Sequence, residues 1–437
     1  MGRQAKGQEH FRRRGTAWTG QMGKSGVDLG ELKLKKNKTL GAAPMARHHG
    51  TLKLIVVALA AALCFSAGTV MAKTIVYVSN NVDGTIDAFA MDTSTGSLTP
   101  VGKSEAGKVV MPMAVSPNKK FLYAAVRSEP FRVLTYSIDP TTGALSQKAS
   151  APLPDSMPYV STDATGRFLF TASYGGDKIA VSPISETGLV EAAAIQIIAT
   201  GRNAHAILTE RTNKFVYVPT LGANEVLQFK FDAASGKLTP NEPTSAKAGP
   251  GDGPRHIAIT ADNKFAYVIN ELTGRLTQWA IDPVKGTLSE VESVASVPAD
   301  AGLLPGVAQA PTGAAPPAGA PAAAVVAADT RPRVWAADIG ITPNGRFLYT
   351  TERTTSKIAL FTLAPGSGKL TYVTNFTTEK QPRGIKIDPK GIFLVAAGEK
   401  SDKLAVYKIN QETGMLAEVG RYPAGKGANW VEIVELP

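Results

Sequence analysis

Apolar and polar residues alternate along this chain in a unit of about 46 to 50 residues that recurs seven times. Each unit contains an apolar or aromatic triplet, often directly after a turn such as Pro343-Asn344-Gly345. The triplets begin at Ile75, Phe121, Phe168, Phe215, Phe265, Phe347 and Phe393. A second mark, Gly-x-Leu-Thr or Gly-x-Leu-Ser, follows most of them. Repetition at a fixed period is typical of folds built from one supersecondary unit.

Within one unit the pattern predicts four short strands separated by turn residues. The first is an apolar stretch that ends about five residues before the triplet. The triplet strand, an alternating strand such as Lys357 to Leu363, and a strand after Gly-x-Leu follow it. Four antiparallel strands repeated around an axis make a β-propeller, so the chain is expected to be an all-β, seven-bladed propeller.

The last triplet is followed by a spare apolar strand over residues 429–434, whereas the first triplet has no strand of the mature chain before it. The spare strand is therefore predicted to complete the first blade and close the ring.

The start of the chain has the features of an export signal. Residues 45–72 contain a basic segment, an apolar run from Leu54 to Cys64 and a small-residue exit, so cleavage is expected after Ala72. The apolar run is shorter than a membrane span requires, so no membrane anchor should remain. Residues 1–44 form a polar, basic extension, and Met45 is a plausible true start. These features predict a periplasmic or secreted protein.

The charge distribution argues against nucleic acid as a partner. The chain carries a formal charge of +11, but residues 1–72 hold 12 Lys and Arg against 3 Asp and Glu. The remainder, with 35 against 33, lacks the basic excess that binds polyanions. The single cysteine, Cys64, lies in the predicted leader, so the mature domain has no disulfide.

One segment breaks the repeat between the fifth and sixth triplets. Their spacing is 82 residues, and the excess is an Ala, Pro and Gly run over residues 299–328. This composition predicts a flexible loop. It favours a tolerated insertion over a functional lid.

The repeat register predicts where polar residues gather. Antiparallel pairing brings a position ten residues before each triplet to the same blade edge as the position six residues after it. A single polar residue there is usually a solvated loop residue, but together these positions predict a charge-lined pocket at the channel mouth. The candidates at or next to these positions are Arg127, His205, Arg255, His256, Asn270, Glu271, Asp338, Arg353 and Arg383.

Other catalytic motifs are absent from the sequence. It contains no Gly-x-Ser-x-Gly elbow, no paired cysteines, no His-Glu-x-x-His and no phosphate-cradling loop. No cofactor and no metal site is therefore expected.

Several dispersed strings resemble one family from Lys73 to about Val434. They are Val109 to Pro117, Phe131 to Leu134, Gly253-Pro254-Arg255-His256, Asn270-Glu271-Leu272, Trp335 to Ile339, Gln381-Pro382-Arg383-Gly384 and Ala396 to Ser401. They are similar to the propeller-type bacterial 6-phosphogluconolactonase, whose family also includes the fungal carboxymuconate lactonizing enzyme. The resemblance implies hydrolysis of a sugar lactone.

The resemblance also implies a catalytic set of His205, Arg255, Glu271 and Arg353. Glu271 or His205 would take a proton from water, and the two arginines would hold the oxyanion or the carboxylate. The candidate substrate-binding residues are Arg127, His256, Asn270, Asp338 and Arg383. Arg127 and Arg383 suit a phosphate or sugar hydroxyls, and Asp338 would orient one of the arginines.

Three alternatives stay open at this point. Two arginines could clamp both carboxylates of a muconate-like substrate, or the propeller could be a secreted, non-catalytic binding module. A calcium-dependent lactonase is a further possibility, although the sequence shows no evident convergence of acids. The expected partner is a small lactone, and a monomer is expected.

Overall fold

The protein is described by a computed structural model that covers residues 72–309 and 331–437. The residues before 72, with nearly all of the predicted signal peptide, and residues 310–330, with most of the predicted insertion, lie outside this range. The described chain forms seven four-stranded antiparallel sheets, which confirms the seven-bladed all-β propeller. None of its helices could cross a membrane.

The blades follow one another around the ring in chain order. The first contains β1 (Thr74–Asn80), β2 (Thr85–Met91) and β3 (Leu98–Glu105). The second contains β4 (Val110–Val115), β5 (Phe121–Val126), β6 (Arg132–Ile138) and β7 (Leu145–Pro152). The third contains β8 (Tyr159–Thr162), β9 (Phe168–Ser173), β10 (Lys178–Pro183) and β11 (Gln196–Ala199). The fourth contains β12 (Leu208–Thr209), β13 (Phe215–Thr220), β14 (Glu225–Asp232) and β15 (Lys237–Lys247).

The remaining blades follow the same plan. The fifth contains β16 (Pro254–Ile259), β17 (Phe265–Asn270), β18 (Arg275–Ile281) and β19 (Leu288–Ala295). A short 3-10 helix follows at Ala299–Ala301. The sixth contains β20 (Ala336–Ile341), β21 (Phe347–Glu352), β22 (Lys357–Leu363) and β23 (Leu370–Thr377). The seventh contains β24 (Pro382–Ile387), β25 (Phe393–Gly398), β26 (Lys403–Ile409) and β27 (Leu416–Pro423), and β28 (Ala428–Glu435) ends the chain.

The C-terminal strand closes the ring, as the sequence predicts. Strand β28 pairs antiparallel with β1 and takes the innermost place in the first blade. It also packs between β4 and β24, the inner strands of the neighbouring blades. The first and last segments of the propeller therefore hold each other in place.

The apolar core lies between the blades. Seven hydrophobic clusters each combine residues of two consecutive blades. The triplet strands are covered on both faces, and β21 and β25 are buried at every position. The outermost strands, such as β27, are largely exposed and alternate less strictly. This explains why the triplets are the strongest signal in the sequence.

The two sequence marks of the repeat meet across each blade interface. The Gly286 turn of the fifth blade packs on Phe215 of the fourth, and a Cβ at Gly286 would lie 2.1 Å from the Phe215 ring. Tyr217, the third residue of the triplet that begins at Phe215, donates a hydrogen bond of 3.1 Å to the Gly286 carbonyl. Equivalent bonds join Tyr77 to Gly143, Tyr123 to Gly188, Tyr267 to Gly368 and Tyr349 to Gly414.

The inner strands carry irregularities where they reach the channel mouth. In β16 the pairing jumps from Pro254 to His256, which leaves Arg255 outside the ladder. The pairing of β24 jumps in the same way around Arg383. Such bulges turn side chains away from the sheet and are frequent beside active sites. They provide the local reason why these arginines leave the blade surface.

Candidate functional site

A carboxylate bound by two arginines lies at the channel mouth. Glu271 follows β17, and its Oε2 accepts a hydrogen bond of 2.7 Å from Arg255 Nε and one of 2.9 Å from Arg353 Nη2. All three side chains are buried. The other carboxylate oxygen, Oε1, accepts no hydrogen bond from the residues that the structure describes, and Glu271 lines the mouth cavity. Oε1 is therefore available to a molecule in that cavity.

Arg353 is held rigidly at the sixth blade. Its Nε donates to the Trp335 carbonyl at 3.1 Å, its Nη2 also donates to the Ala336 carbonyl, and its guanidinium stacks 3.8 Å from the centre of the Trp335 ring. Stacking and a fixed fork of donors suit a guanidinium better than an ammonium group. Arg353 Nη1 has no partner in the described chain and can bind an anionic or carbonyl oxygen.

Arg255 has a different position from the one that the resemblance implies. It is fully buried and does not line the mouth cavity. Its Nη1 donates to the Ala337 carbonyl and lies 3.1 Å from His256 Nε2. Arg255 thus supports Glu271 from behind, while Arg353 faces the cavity.

Electrostatics keep the Glu271 carboxylate ionised. Burial by itself raises the pKa of Glu271, but the charges of Arg353 and Arg255 outweigh it and hold the pKa below its ordinary value. Burial lowers the pKa of Arg255 to about 9, with the charges of Arg353 and Arg383 acting in the same direction. At neutral pH the cluster holds two cations around one anion.

His205 is the neutral member of the site. It lies in a stretch of the fourth blade where the ladder is interrupted, between the bridge of Ala204 with Thr220 and the short strand β12. Burial, followed by the charge of Arg255, lowers the pKa of His205 well below its ordinary value. Its Nδ1 is buried and has no hydrogen-bond partner among the described residues. The imidazole packs edge-on to the Tyr174 ring at 5.6 Å.

The mouth cavity has a volume of about 600 Å³. Within this cavity Arg383 Nη1 pairs with Glu399 Oε1 at 3.3 Å, and Arg127 Nε donates to Ser156 Oγ at 3.0 Å. Burial lowers the pKa of Arg127 to about 9, and the charge of Arg383 adds to this effect. The cavity therefore brings together His205, Glu271, Arg353, Arg383 and Arg127, five of the nine predicted residues.

Three predicted substrate-binding residues lie elsewhere. Asn270 donates from Nδ2 to Thr277 Oγ1 inside the fifth blade and does not line the mouth cavity. His256 and Asp338 line a second channel cavity of about 290 Å³ instead. The repeat register gives the height of a residue along the channel, but it does not give the direction of its side chain.

Several lining residues were not among the predicted candidates. Trp335 directly precedes β20 and supports Arg353, and Tyr174 is the plus-six residue of the third blade. The backbone carbonyl of Gln309, in the described part of the insertion, accepts a hydrogen bond of 2.9 Å from the Tyr174 hydroxyl. The register gave a signal for Tyr174, but nothing in the composition of the insertion indicated Gln309.

The described residues contain no group of three His, Cys, Asp or Glu side chains arranged to hold a metal ion. The chemistry visible at the mouth comes from a carboxylate, a neutral imidazole and fixed guanidinium groups. Such a set can activate water and stabilise a developing oxyanion.

Fold and site together define a seven-bladed β-propeller with a polar small-molecule cavity at one mouth of its channel. Residues 74–433 match the family described as "Lactonase, 7-bladed beta-propeller". The chain belongs to this lactonase family.

The matches to curated relatives cover nearly the whole length of those relatives. The 6-phosphogluconolactonase of Serratia proteamaculans (strain 568) is 37% identical over 362 residues, which cover 83% of this chain and 99% of that protein. The 6-phosphogluconolactonase of Erwinia tasmaniensis is 37% identical over 364 residues, with the same two shares of 83% and 99%.

Solved structures are similar in fold. The periplasmic gluconolactonase of Pseudomonas aeruginosa superposes with a TM-score of 0.70 at 22% identity, covering 84% of this chain and 100% of that one. At this identity the likeness demonstrates the shared propeller.

Proposed function

We propose that the protein hydrolyses the lactone of a sugar acid, of the 6-phosphogluconolactone type, to the open-chain aldonic acid. The observation that carries this proposal is the Glu271 carboxylate, which keeps one oxygen free at the mouth cavity while Arg353 is fixed beside it. Family membership and the names of the curated relatives support the same reaction.

Hydrolysis needs a proton acceptor for water and a stabiliser for the oxyanion. In this scheme Glu271 Oε1 or the His205 imidazole takes a proton from water, and the water oxygen bonds to the lactone carbonyl carbon; the same group later returns this proton to the leaving ring oxygen. Arg353 stabilises the oxyanion that forms on the carbonyl oxygen. The bond from the carbonyl carbon to the ring oxygen then breaks, and the ring oxygen takes a proton to become a hydroxyl.

Two further arginines of the mouth cavity, Arg127 and Arg383, influence which lactone can bind. Arg127 and Arg383 line the same cavity as Glu271 and Arg353, and a fixed guanidinium binds a phosphate or sugar hydroxyls well. Glu399 already pairs with Arg383, which lessens the excess positive charge there. This arrangement is compatible with a phosphorylated or an unphosphorylated lactone, and the assay compares the two.

The decisive measurement is hydrolysis of 6-phosphogluconolactone and of gluconolactone by the chain from Lys73 to Pro437. The assay is run in a chelating buffer, and spontaneous hydrolysis is subtracted. We expect turnover of at least one lactone with the chelator present. No activity on either lactone would overturn the proposal and favour the muconate or binding alternatives. Activity that the chelator abolishes would instead indicate a calcium-dependent lactonase.

We further propose export of the protein to the periplasm or beyond, as a monomer. Residues 45–72 have the pattern of a signal peptide, and a structural neighbour is described as periplasmic. N-terminal sequencing of the protein from the periplasmic fraction should begin near Lys73. A start far from this residue, or recovery only with the cytoplasm, would contradict export. Light scattering measures the molar mass in solution and so tests whether the protein is a monomer.

A further inference from the structure

His256 lines the second cavity of the channel and contacts a buried arginine on one side and an aspartate on the other. On one side its Nε2 is 3.1 Å from Arg255 Nη1. On the other side its Nδ1 is 2.8 Å from Asp338 Oδ1. Its side chain lines the second cavity, so it does not meet a substrate in the mouth cavity. Neither the family motif nor the predicted substrate-binding role accounts for these two contacts.

The contacts determine which nitrogen of His256 carries the proton. A guanidinium has donors only, so the Arg255 contact requires a lone pair on Nε2. The proton of the neutral ring then belongs to Nδ1 and points at Asp338. Burial and the charge of Arg255 lower the pKa of His256 to about 4, so the ring is neutral at physiological pH. Only one tautomer of the neutral ring satisfies both neighbours.

Asp338 is held by the backbone of two blades. Its Oδ1 also accepts from the Ile339 amide at 2.9 Å, and its Oδ2 accepts from the Ile385 amide of the seventh blade at 2.9 Å. Burial raises the pKa of Asp338, but the hydrogen bond from His256 and those from these amides hold it below its ordinary value. The carboxylate is therefore a fixed anionic acceptor for the Nδ1 proton.

Aromatic neighbours restrict the His256 ring. The Tyr159 ring packs edge-on to it at 5.2 Å, and the Trp430 ring does so at 5.9 Å. A ring packed in this way cannot easily turn over to exchange its two nitrogens. The orientation of His256 is thus set by packing as well as by hydrogen bonds.

We propose that Asp338, His256 and Arg255 form a hydrogen-bonded relay that positions the Glu271 carboxylate for catalysis. The relay runs from Asp338 through the His256 ring to Arg255, whose Nε holds Glu271 Oε2. None of the first three residues lines the mouth cavity, so they are positioning residues. The inference rests on lactone hydrolysis at that cavity. It replaces the substrate-binding role predicted for His256, and it gives the path by which Asp338 would orient an arginine.

Two substitutions of His256 test separately its contact with Arg255 and its contact with Asp338. His256→Gln places an amide oxygen near the Nε2 position, where it can accept from Arg255. His256→Asn keeps a donor near the Nδ1 position but leaves Arg255 without this acceptor. We expect His256→Asn to lower kcat by about 100-fold, since small misplacements of catalytic groups have effects of this size, while KM changes little. His256→Gln should retain kcat within about tenfold of the native value.

Lys386→Met serves as the control. Lys386 lines the same second cavity and pairs with Glu432 Oε2 at 2.8 Å; its charge reaches Asp338, but it makes no hydrogen bond with a relay residue. Its kcat should stay at the native value. Equal losses for His256→Gln and His256→Asn, with comparable melting temperatures, would overturn the relay, and so would native kcat in His256→Asn.

The tautomer of the His256 ring can be determined by NMR without any substrate. Nitrogen NMR of the native protein labelled at histidine should show His256 protonated at Nδ1 at neutral pH. Asp338→Asn can donate its amide to Nδ1, which should move the ring proton to Nε2 and lower kcat as His256→Asn does. An Nε2-protonated ring in the native protein overturns the relay. If the native protein hydrolyses no lactone, the proposed function fails, while this spectrum still decides the hydrogen-bonding pattern.

Discussion

At the scale of single residues, burial gives three arginines of the same site different tasks. Arg255 is fully buried and supports the Glu271 carboxylate. Arg353 is buried but presents Nη1 to the mouth cavity, and Arg383 pairs with Glu399 in the lining of that cavity. Their side chains are chemically identical, so their different contacts are what separate a positioning arginine from one that can bind a substrate.

Replacing Glu271 tests the residue that the proposed reaction depends on most. Glu271→Gln removes the negative charge that both arginines share, and it replaces a carboxylate that could accept a proton from water. We expect kcat to fall by about 100-fold or more. Stability should fall by about 3 kcal/mol, since two buried cations lose their counter-ion.

Activity of Glu271→Gln is compared with that of Glu418→Gln, an exposed substitution on the outermost strand β27, at a temperature where both are folded. Native turnover in Glu271→Gln would remove Glu271 from the mechanism and leave His205 as the base.

At the scale of the blade, the structure explains why the aromatic triplets and the glycine turns recur together. The triplet of one blade packs on the glycine turn of the next, and a tyrosine hydroxyl closes the contact at five interfaces. Phe170 and Val395 replace this tyrosine in the third and seventh blades. The hydrogen bond therefore reinforces an interface that aromatic and aliphatic packing already forms.

Tyr349→Phe measures that reinforcement. The hydroxyl donates to the Gly414 carbonyl at 2.7 Å in a buried environment, so the carbonyl would lose its partner. We expect the free energy of unfolding to fall by about 1 to 2 kcal/mol in urea denaturation. Tyr422→Phe is the control, because the Tyr422 hydroxyl makes no hydrogen bond with the described residues. Equal stability of both variants would show that the interblade bond contributes nothing.

At the scale of the whole molecule, closure of the ring depends on one strand. Strand β28 supplies the inner strand of the first blade and separates β4 from β24. Removing the residues after Gly425 should expose apolar faces of the first and seventh blades. We expect a lower melting temperature and increased binding of a hydrophobic dye. A truncated protein that melts like the full chain would contradict closure by this strand.

Acid should destabilise the propeller before its carboxylates titrate. Burial lowers the pKa of His205 and of His256, the latter to about 4, whereas an unfolded histidine titrates near its ordinary value of 6.5. Below about pH 6.5 the unfolded state binds protons that the folded state does not, so each histidine lowers stability by up to about 1.4 kcal/mol per pH unit as pH falls toward 4.

Urea denaturation across pH 7 to 5 measures this dependence. His256→Gln should show a shallower slope by about one proton, because glutamine does not titrate. Equal stability of the native protein at pH 7 and pH 5 would refute the expectation.

Much of the site could be predicted because the repeat register is regular. It placed Glu271 beside Arg255 and near Arg353, and the structure brings the three side chains into contact. It could not predict that Asn270 turns into its own blade, or that His256 faces the second cavity. Side-chain direction at a bulge depends on local twist and on neighbouring blades, and the spacing of residues contains neither.

The sequence by itself determined the number of blades, the strand that closes them and the height at which polar residues gather. These properties follow from alternation and period, which act within about 50 residues of chain. Only the tertiary structure decided which arginine faces the cavity and which is hidden behind the carboxylate. It also decided that His256 meets Asp338, a residue 82 positions away on the next blade. Such contacts form only when blades pack side by side, because this packing brings inner strands of different blades together around one axis.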